Sequence, residues 1–301
     1  MEKERTIGIV GLGLIGGSMA VDLRARGYAS RVVGTDRNPL NAEAACRLGL
    51  VDATVSLEEC IDRSDIIVVS VPVSAAAGII QTVLDTFKDK EYTDKIVMDV
   101  CSTKSQIAEH LKYHPFRKRY VASHPMAGTE HSGPWAAMPG LFDSRACIIA
   151  DREESDASAV RAVEELYRKL NMRIVYMTSD SHDVHTAYVS HLSHVSSFAL
   201  ALTVLDKERD EKHIFDLASG GFSSTVRLAK SNADMWVPIF MQNRDNLLRV
   251  MDTYIEKMQA FRKALEDFDE EKIRALIDEA NRIKKINTAQ TNYDRAQLKA
   301  G

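Results

Sequence analysis

Cysteine is scarce and scattered in this chain. Its 301 residues include four, Cys46, Cys60, Cys101 and Cys147, with no C-x-x-C pair among them. That spacing excludes a cysteine zinc cage and a small disulfide scaffold, and it fits reduced thiols in a cytosolic protein. Positive charge is not in excess either: 39 Lys and Arg against 43 Asp and Glu give a net charge of −4. No basic field is available to draw in nucleic acid, so an anionic substrate needs cations placed locally. Long apolar runs are missing too. The most apolar stretch, IIVVSVPVSAAAGII, is broken by Pro72 and serines and is too short to span a bilayer. The N-terminal MEKERTIGIVG passes from charged residues straight into a strand-like run, without the apolar segment of a signal peptide. The expectation is a soluble, cytoplasmic protein with neither nucleic acid nor membrane as partner. With 45% hydrophobic and 27% charged residues it can bury a full core, and its length suits two domains.

Up to about Thr178, short β-branched runs alternate with helical stretches. The strand-like runs are TIGIVG, RVVGTD, DIIVVSVP, KIVMDV, RYVAS, ACIIAD and RIVYMT; IGGSMAVDLRARG, AAAGIIQTVLDTF and ASAVRAVEELYRKL are helix-like. Such alternation predicts a mostly parallel sheet with helices on both faces. Beyond Thr178 the strand signal vanishes. One long helical pattern runs from Ser181 to Leu205, then come a short helix near HIFDLAS, a glycine break at Gly220-Gly221, and helix to about Ile286. The expected organisation is an α/β dinucleotide-binding domain over 1–178, an all-helical domain over 179–286 and a polar tail over 287–301.

Gly11, Gly13 and Gly16 spell G-x-G-x-x-G directly after the first strand and before a helix, with Leu14 and Ile15 between the last two glycines. Glycines there allow a tight turn and let backbone approach a pyrophosphate seated on the helix N-terminus. A glycine-rich turn alone often binds nothing. Here it opens the first βα unit, and Asp36 ends the second strand where an acid bonds a ribose 2′-hydroxyl. Asp36 favours NAD over NADP, because a 2′-phosphate would meet a carboxylate; the neighbouring Arg37 reads as a solvated surface charge.

Ligands of an open α/β sheet lie beyond the carboxyl ends of its strands. Three loops qualify: the one holding Ser70, Val71 and Pro72, the one holding Ser102, and SHPMAG with His124. Ser102 and His124 would converge on one crevice, where a histidine takes or shares a proton and a hydroxyl orients it. A His124 that merely caps a tight His-Pro turn fits the spacing equally well. Within HDVHTAYVSHLSH, helical spacing puts Asp183, Ser190 and His194 on nearly one face, with His185 opposite. His191 and His194 are three apart, but no H-E-x-x-H pattern or cysteine accompanies them, so no metal is expected. A polar face against a cleft, or an ordinary hydrogen-bond network, accounts for this helix. In GGFSSTVRLAKS, Ser223, Ser224 or Thr225 would cap the following helix, with Arg227 and Lys230 on one face. Arg227 can grip a carboxylate in bidentate fashion, or be a plain surface charge.

Taken together, GLGLIGGS, DVCSTK, SHPMAGTEHSG, HD…VSHLSH and GGFSSTVRLAKS…MW resemble the prephenate dehydrogenase family of tyrosine biosynthesis, which includes the arogenate dehydrogenases. The resemblance runs in order from about Thr6 to the helices near Ile286. It implies a Rossmann-type NAD(P)-binding domain followed by a helical dimerisation domain, and oxidative decarboxylation of prephenate to 4-hydroxyphenylpyruvate. It implies that His124 accepts the hydrogen bond of the ring hydroxyl, that Ser102 aligns His124 with the nicotinamide, and that Arg227 pairs with the ring carboxylate. His194 would face the substrate's side-chain end, with Thr129 and Gly220 lining the pocket. Homodimers are implied, and the apolar content of Met251–Phe268 agrees. Cys101 stands where the family often carries glycine and reads as a packed residue. No chorismate mutase segment precedes the nucleotide motif and no regulatory module follows, so a monofunctional enzyme is expected. Three alternatives stand. An arogenate dehydrogenase would place an unpaired carboxylate at the side-chain end; Asp183 is the candidate, unless it orients His194. A β-hydroxyacid dehydrogenase needs a lysine in the first interdomain helix, and Ser181–Asp206 has none. A non-catalytic NAD-binding sensor would have no use for Ser102, His124 and Arg227 together.

Overall fold

The computed structural model describes residues 4–210 and 214–284. The strands are β1 (Thr6–Val10), β2 (Arg31–Thr35), β3 (Ala53–Thr54), β4 (Ile66–Val69), β5 (Ile96–Asp99), β6 (Tyr120–Pro125), β7 (Ala146–Ala150) and β8 (Arg173–Met177). They form one sheet in the order β3-β2-β1-β4-β5-β6-β7-β8. Apolar residues fill both faces of β4, so it reads as a continuous run rather than an alternation, as a doubly covered strand must. The first six strands are parallel. β7 then runs antiparallel to β6, and β8 pairs parallel with β7. That reversal follows from the link: residues 126–145 carry turns and one short 3-10 segment rather than a crossover helix.

The helices are α1 (Leu14–Ala25), α2 (Pro39–Arg47), α3 (Leu57–Arg63), α4 (Val73–Asp89), α5 (Ser105–Leu111), α6 (Ala157–Lys169), α7 (Ser179–Thr186), α8 (Leu192–Asp210), α9 (Gly220–Thr225), α10 (Ala233–Gln242), α11 (Arg244–Glu266) and α12 (Glu270–Ala280). Side-chain alternation along the strands divides the core in two. Ile7, Val68 and Met98 meet Met19 and Leu23 of α1 and Val163 and Leu166 of α6. Ile67, Val69 and Val97 meet Ile80 and Leu84 of α4, Ile107 of α5 and Trp236 and Ile239 of α10. Because α10 closes this second core, the packing boundary falls inside α11, between Leu247 and Leu248, where the described residues divide into two compact units. In the second unit, α11 ends at a turn where Phe268 takes a left-handed φ of 54°, and Asp269 caps α12 by accepting from Lys272 N–H.

Between α7 and α8 lies a π turn, Ala187–His191, so the helix runs on from Ser179. By length and composition alone Ser179–Glu208 would cross a membrane. Its first half, however, buries Asp183, His182 and His191 in hydrogen bonds with neighbouring elements. The structure adds one strand and changes two readings of the sequence. β3 was not foreseen, being only two residues at the sheet edge. The described part of HIFDLAS makes a single 3-10 turn, Phe215–Leu217. Ser223, Ser224 and Thr225 lie inside α9 instead of capping a later helix, and the Ser224 and Thr225 hydroxyls donate back to the Gly221 carbonyl. The expected helix end at Ile286 and the tail 287–301 lie outside the described residues.

Candidate active site

The glycine turn has the form of a phosphate cradle. Gly11 has φ +97°, and a Cβ there would overlap the Ser70 carbonyl. A Cβ on Gly16 would overlap the Gly11 carbonyl and come 2.8 Å from Ile9 Cγ2. Gly13 differs: a Cβ there meets nothing within 4 Å, although Gly13 is the N-cap of α1 and provides no side-chain cap. Two glycines serve packing, and the third leaves open space at a helix N-terminus, which suits a pyrophosphate. Asp36 ties this turn to the end of β2. Its Oδ2 accepts from Leu12 N at 2.9 Å and its Oδ1 from Asn38 N at 2.8 Å. Arg37 is exposed. Leu14 and Ile15 open α1, while Ser70, Val71 and Pro72 leave β4 beside Gly11, with Pro72 at the N-cap of α4.

His124 lies near the end of β6. Its Nδ1 is 2.8 Å from His182 Nε2, and His182 Nδ1 is 2.8 Å from Asp183 Oδ1. Asp183 also accepts from the backbone N–H groups of Lys104 at 2.8 Å and Ser105 at 2.9 Å. One carboxylate on α7 therefore fixes both the loop after β5 and the imidazole behind His124. Beneath that loop, Lys104 Nζ is fully buried against Asp99, whose other oxygen accepts from Tyr120 OH at 2.7 Å and Ser123 N at 3.1 Å. Burial pushes the His124 pKa well below the ordinary imidazole value, and His182, Lys104 and His191 add to that. Burial also lowers His182, against the opposing pull of Asp183. For Asp183 burial disfavours ionisation, but bonds from His182, Ser105 and Lys104 outweigh it and hold the carboxyl below its usual range.

Ser102 is half-buried on the same loop, and among the described residues it makes no side-chain hydrogen bond to His124. His182 holds that histidine instead. Asp183 is likewise not the unpaired carboxylate of the arogenate alternative, nor does it orient His194: three donors already occupy it. The π turn explains the error, since its extra residue shifts the helical phase by about 100° between Asp183 and His194.

Arg227 lies in a 3-10 turn after α9 and pairs with Glu130 at 3.1 Å. Glu130 follows Thr129 in the loop after His124, so the pair links that loop to the residues beyond Gly220. His194 Nδ1 bonds the Ser190 carbonyl at 2.9 Å, and its ring stacks on Trp236 with centroids 3.5 Å apart. Burial lowers the His194 pKa, the Ser190 carbonyl opposes this, and Arg227 lowers it further. Trp236 was missed from the sequence; its indole N–H is buried and has no partner among the described residues. His182, the fourth residue of α7, was not singled out as a site residue either, although its HD pair stands in the motif quoted for the family resemblance. Among the described residues no cluster of His, Cys, Asp and Glu could hold a metal.

This arrangement sets a neutral histidine near the end of β6, a cation paired with the loop that follows it, and a nucleotide cradle at the carboxyl end of β1 in the same sheet. Two family models match the chain: the nucleotide-binding domain of prephenate dehydrogenase over residues 19–176, and its dimerization domain over 178–279. The chain belongs to the prephenate dehydrogenase family. The first match begins within α1, so the glycine turn is read from its own geometry. The chain is 29% identical over 274 residues to prephenate dehydrogenase of Bacillus subtilis, covering 90% of this chain and 73% of that protein. The crystal structure of prephenate dehydrogenase from A. aeolicus in complex with hydroxyphenyl propionate and NAD+ matches with a TM-score of 0.83 and 27% identity, covering 94% and 99% of the two chains. Synechocystis arogenate dehydrogenase matches with a TM-score of 0.73 and 25% identity, again over 94% and 99%. The site is accordingly that of an oxidoreductase, and the chain carries the family's dimerization segment.

Proposed function

We propose that this chain is an NAD-dependent prephenate dehydrogenase that works as a homodimer. The observation that carries the reading is His124: half-buried, neutral, held from behind by His182, and joined through its loop to the Glu130–Arg227 pair. Gly11, Gly13 and Gly16 with Leu14 and Ile15 would hold the pyrophosphate, Asp36 the ribose, and Ser70, Val71 and Pro72 the wall beside them. Bound NAD supplies the hydride acceptor. His124 takes the hydrogen bond of the C4 hydroxyl while that carbon loses hydride, and so stabilises the positive charge growing there. Arg227 exchanges Glu130 for the ring carboxylate and holds it in line until it departs as CO2. Aromatisation drives the reaction, so these residues act chiefly by orientation. Ser102 stands beside the hydroxyl's path, and His194, Thr129 and Gly220 receive the side chain.

Prephenate is favoured over arogenate because Asp183, the carboxylate the sequence offers for an ammonium group, is already held by the Lys104 and Ser105 N–H groups and by His182. The test is NADH absorbance after adding prephenate or arogenate to the protein with NAD. Turnover of prephenate alone supports the reading; turnover of arogenate alone replaces it. A flat trace with both, while NAD still binds, would leave a non-catalytic sensor. His124→Asn should retain NAD binding and lose about 10²–10⁴-fold in turnover.

A further inference from the structure

We infer that His182, backed by Asp183, is a positioning residue that fixes the tautomer of His124, leaving His124 Nε2 bare as the proton acceptor. The inference rests on the functional reading above only for what that acceptor does. The tautomer itself follows from counting donors. Asp183 is ionised, with its pKa held below the usual range, and an ionised carboxylate only accepts. The 2.8 Å contact to His182 Nδ1 therefore requires a proton on that nitrogen. His182 is neutral, because burial depresses its pKa, so its Nε2 is bare and can only accept. The 2.8 Å contact between His182 Nε2 and His124 Nδ1 then requires the proton on His124 Nδ1. His124 is neutral as well, and its remaining nitrogen, Nε2, carries a free lone pair.

The chain Asp183–His182–His124 thus runs in one direction, and each link sets the next. The order does not drift, because Asp183 is itself pinned by the Lys104 and Ser105 N–H groups and His182 is fully buried. The charged and titratable groups facing the two imidazoles are Asp183 from α7, Lys104 and Asp99 from β5 and its loop, and His191 from the π turn. Lys104 and the neighbouring imidazoles all disfavour a second proton on His124. A sideways-held imidazole of the opposite tautomer would present N–H to the substrate hydroxyl, the wrong polarity for an acceptor.

The test reads the ring nitrogens of His124 directly, by two-bond 15N–1H correlation on histidine-labelled free enzyme at neutral pH, assigned with His124→Asn. The expected spectrum shows His124 protonated at Nδ1 and bare at Nε2. His182→Leu should mix the two tautomers and lower kcat by about 10–100-fold with KM for prephenate unchanged, while His182→Gln, whose amide oxygen still accepts, should recover much of it. NAD binding reports that each variant is folded. A His124 protonated at Nε2 in the unaltered enzyme would overturn the inference, as would His182→Leu turning over at the normal rate. The spectrum needs no substrate, so it stands even if prephenate proves inert, which would sink the functional reading alone. It also needs no substitution at His182, so a His182 variant that fails to fold leaves the question decided.

Discussion

Arg227 Nη1 lies 3.1 Å from Glu130 Oε2, with the guanidinium half-exposed and the carboxylate more enclosed. In the proposed function, a substrate carboxylate must compete at Arg227 with the Glu130 carboxylate that the protein already supplies. Removing the cation should weaken binding: Arg227→Ala is expected to raise KM for prephenate at least about tenfold, which is about 1.4 kcal/mol, with NAD affinity unchanged. Glu130→Gln should act in the opposite sense on KM, because it removes the internal competitor while keeping the loop contact. Steady-state kinetics on the two variants checks both signs. An unchanged KM in Arg227→Ala would return Arg227 to the plain surface charge.

Gly13 and Gly11 separate nucleotide binding from folding. A Cβ on Gly13 meets no protein atom, so Gly13→Ala should leave the thermal midpoint nearly unchanged while lowering NAD affinity about tenfold or more. A Cβ on Gly11 overlaps the Ser70 carbonyl at a φ of +97°, so Gly11→Ala should lose stability and NAD affinity together. Calorimetric NAD titration beside thermal melts distinguishes the two. If Gly13→Ala bound NAD normally, the open space would not be where the pyrophosphate sits.

Much of this was legible in the residues because the signals are local. The glycine turn, Asp36 at the end of β2 and His124 near the end of β6 follow from strand ends and spacing. What was illegible depends on distance or on breaks in period. His182 acquires its meaning from a residue 58 positions away. The π turn shifts the phase that would have placed Asp183 beside His194, so arithmetic at 100° per residue assigned Asp183 the wrong partner. The reversal of β7 leaves no trace in its composition, since a buried apolar run such as ACIIA suits a strand of either direction. α10 looked like part of a separate helical body, yet Trp236 and Ile239 complete a sheet core. Cys101 was read correctly as packed: it is buried, and desolvation pushes its thiol pKa up.

Lys104 and Asp99 form an ion pair with no exposure on either side. Removing one member strands the other charge away from water, which costs about 3–5 kcal/mol. Lys104→Met should therefore lower the urea midpoint without changing the denaturant slope, and weaken the loop that carries Ser102. A loss below about 1 kcal/mol would mean that water reaches Asp99 once the amine is gone.

Acid should unfold this protein through its histidines before its carboxylates. His124, His182, His191 and His194 all have depressed pKa values, with His191 lowered to about 4 by burial. Below the unfolded value of 6.5 the unfolded chain binds protons that the folded one refuses, so stability falls as pH falls. Stability should be level above about pH 6.5 and drop steadily toward about pH 4, by a few kcal/mol in total. Asp183 is lost only lower still, below its ordinary 3.8. Urea midpoints across this range test the slope, and His191→Gln should flatten it. A flat profile in the unaltered protein would mean that the histidines take up protons without disturbing the fold.

We propose that Asp36 decides between the two nicotinamide cofactors, and its bonds sharpen what its replacement should do. Its Oδ1 already accepts from Asn38 N and, at 3.4 Å, from Asn41 Nδ2, whereas Oδ2 accepts only from Leu12 N and keeps a lone pair for a ribose hydroxyl. A 2′-phosphate in that place would bring nearly two negative charges to hydrogen-bonding distance of the carboxylate, with only the exposed Arg37 to offset them. Every tenfold of preference needs about 1.4 kcal/mol, well within what an unrelieved like-charge contact supplies. Asp36→Ser should lower kcat/KM with NAD and raise it with NADP, leaving KM for prephenate nearly unchanged. Because the serine hydroxyl is too short to hold both Leu12 and Asn38, the loss with NAD should exceed the gain with NADP. If the unaltered enzyme already uses both cofactors, Arg37 is reaching the phosphate, and Arg37→Ala should then remove the NADP activity selectively.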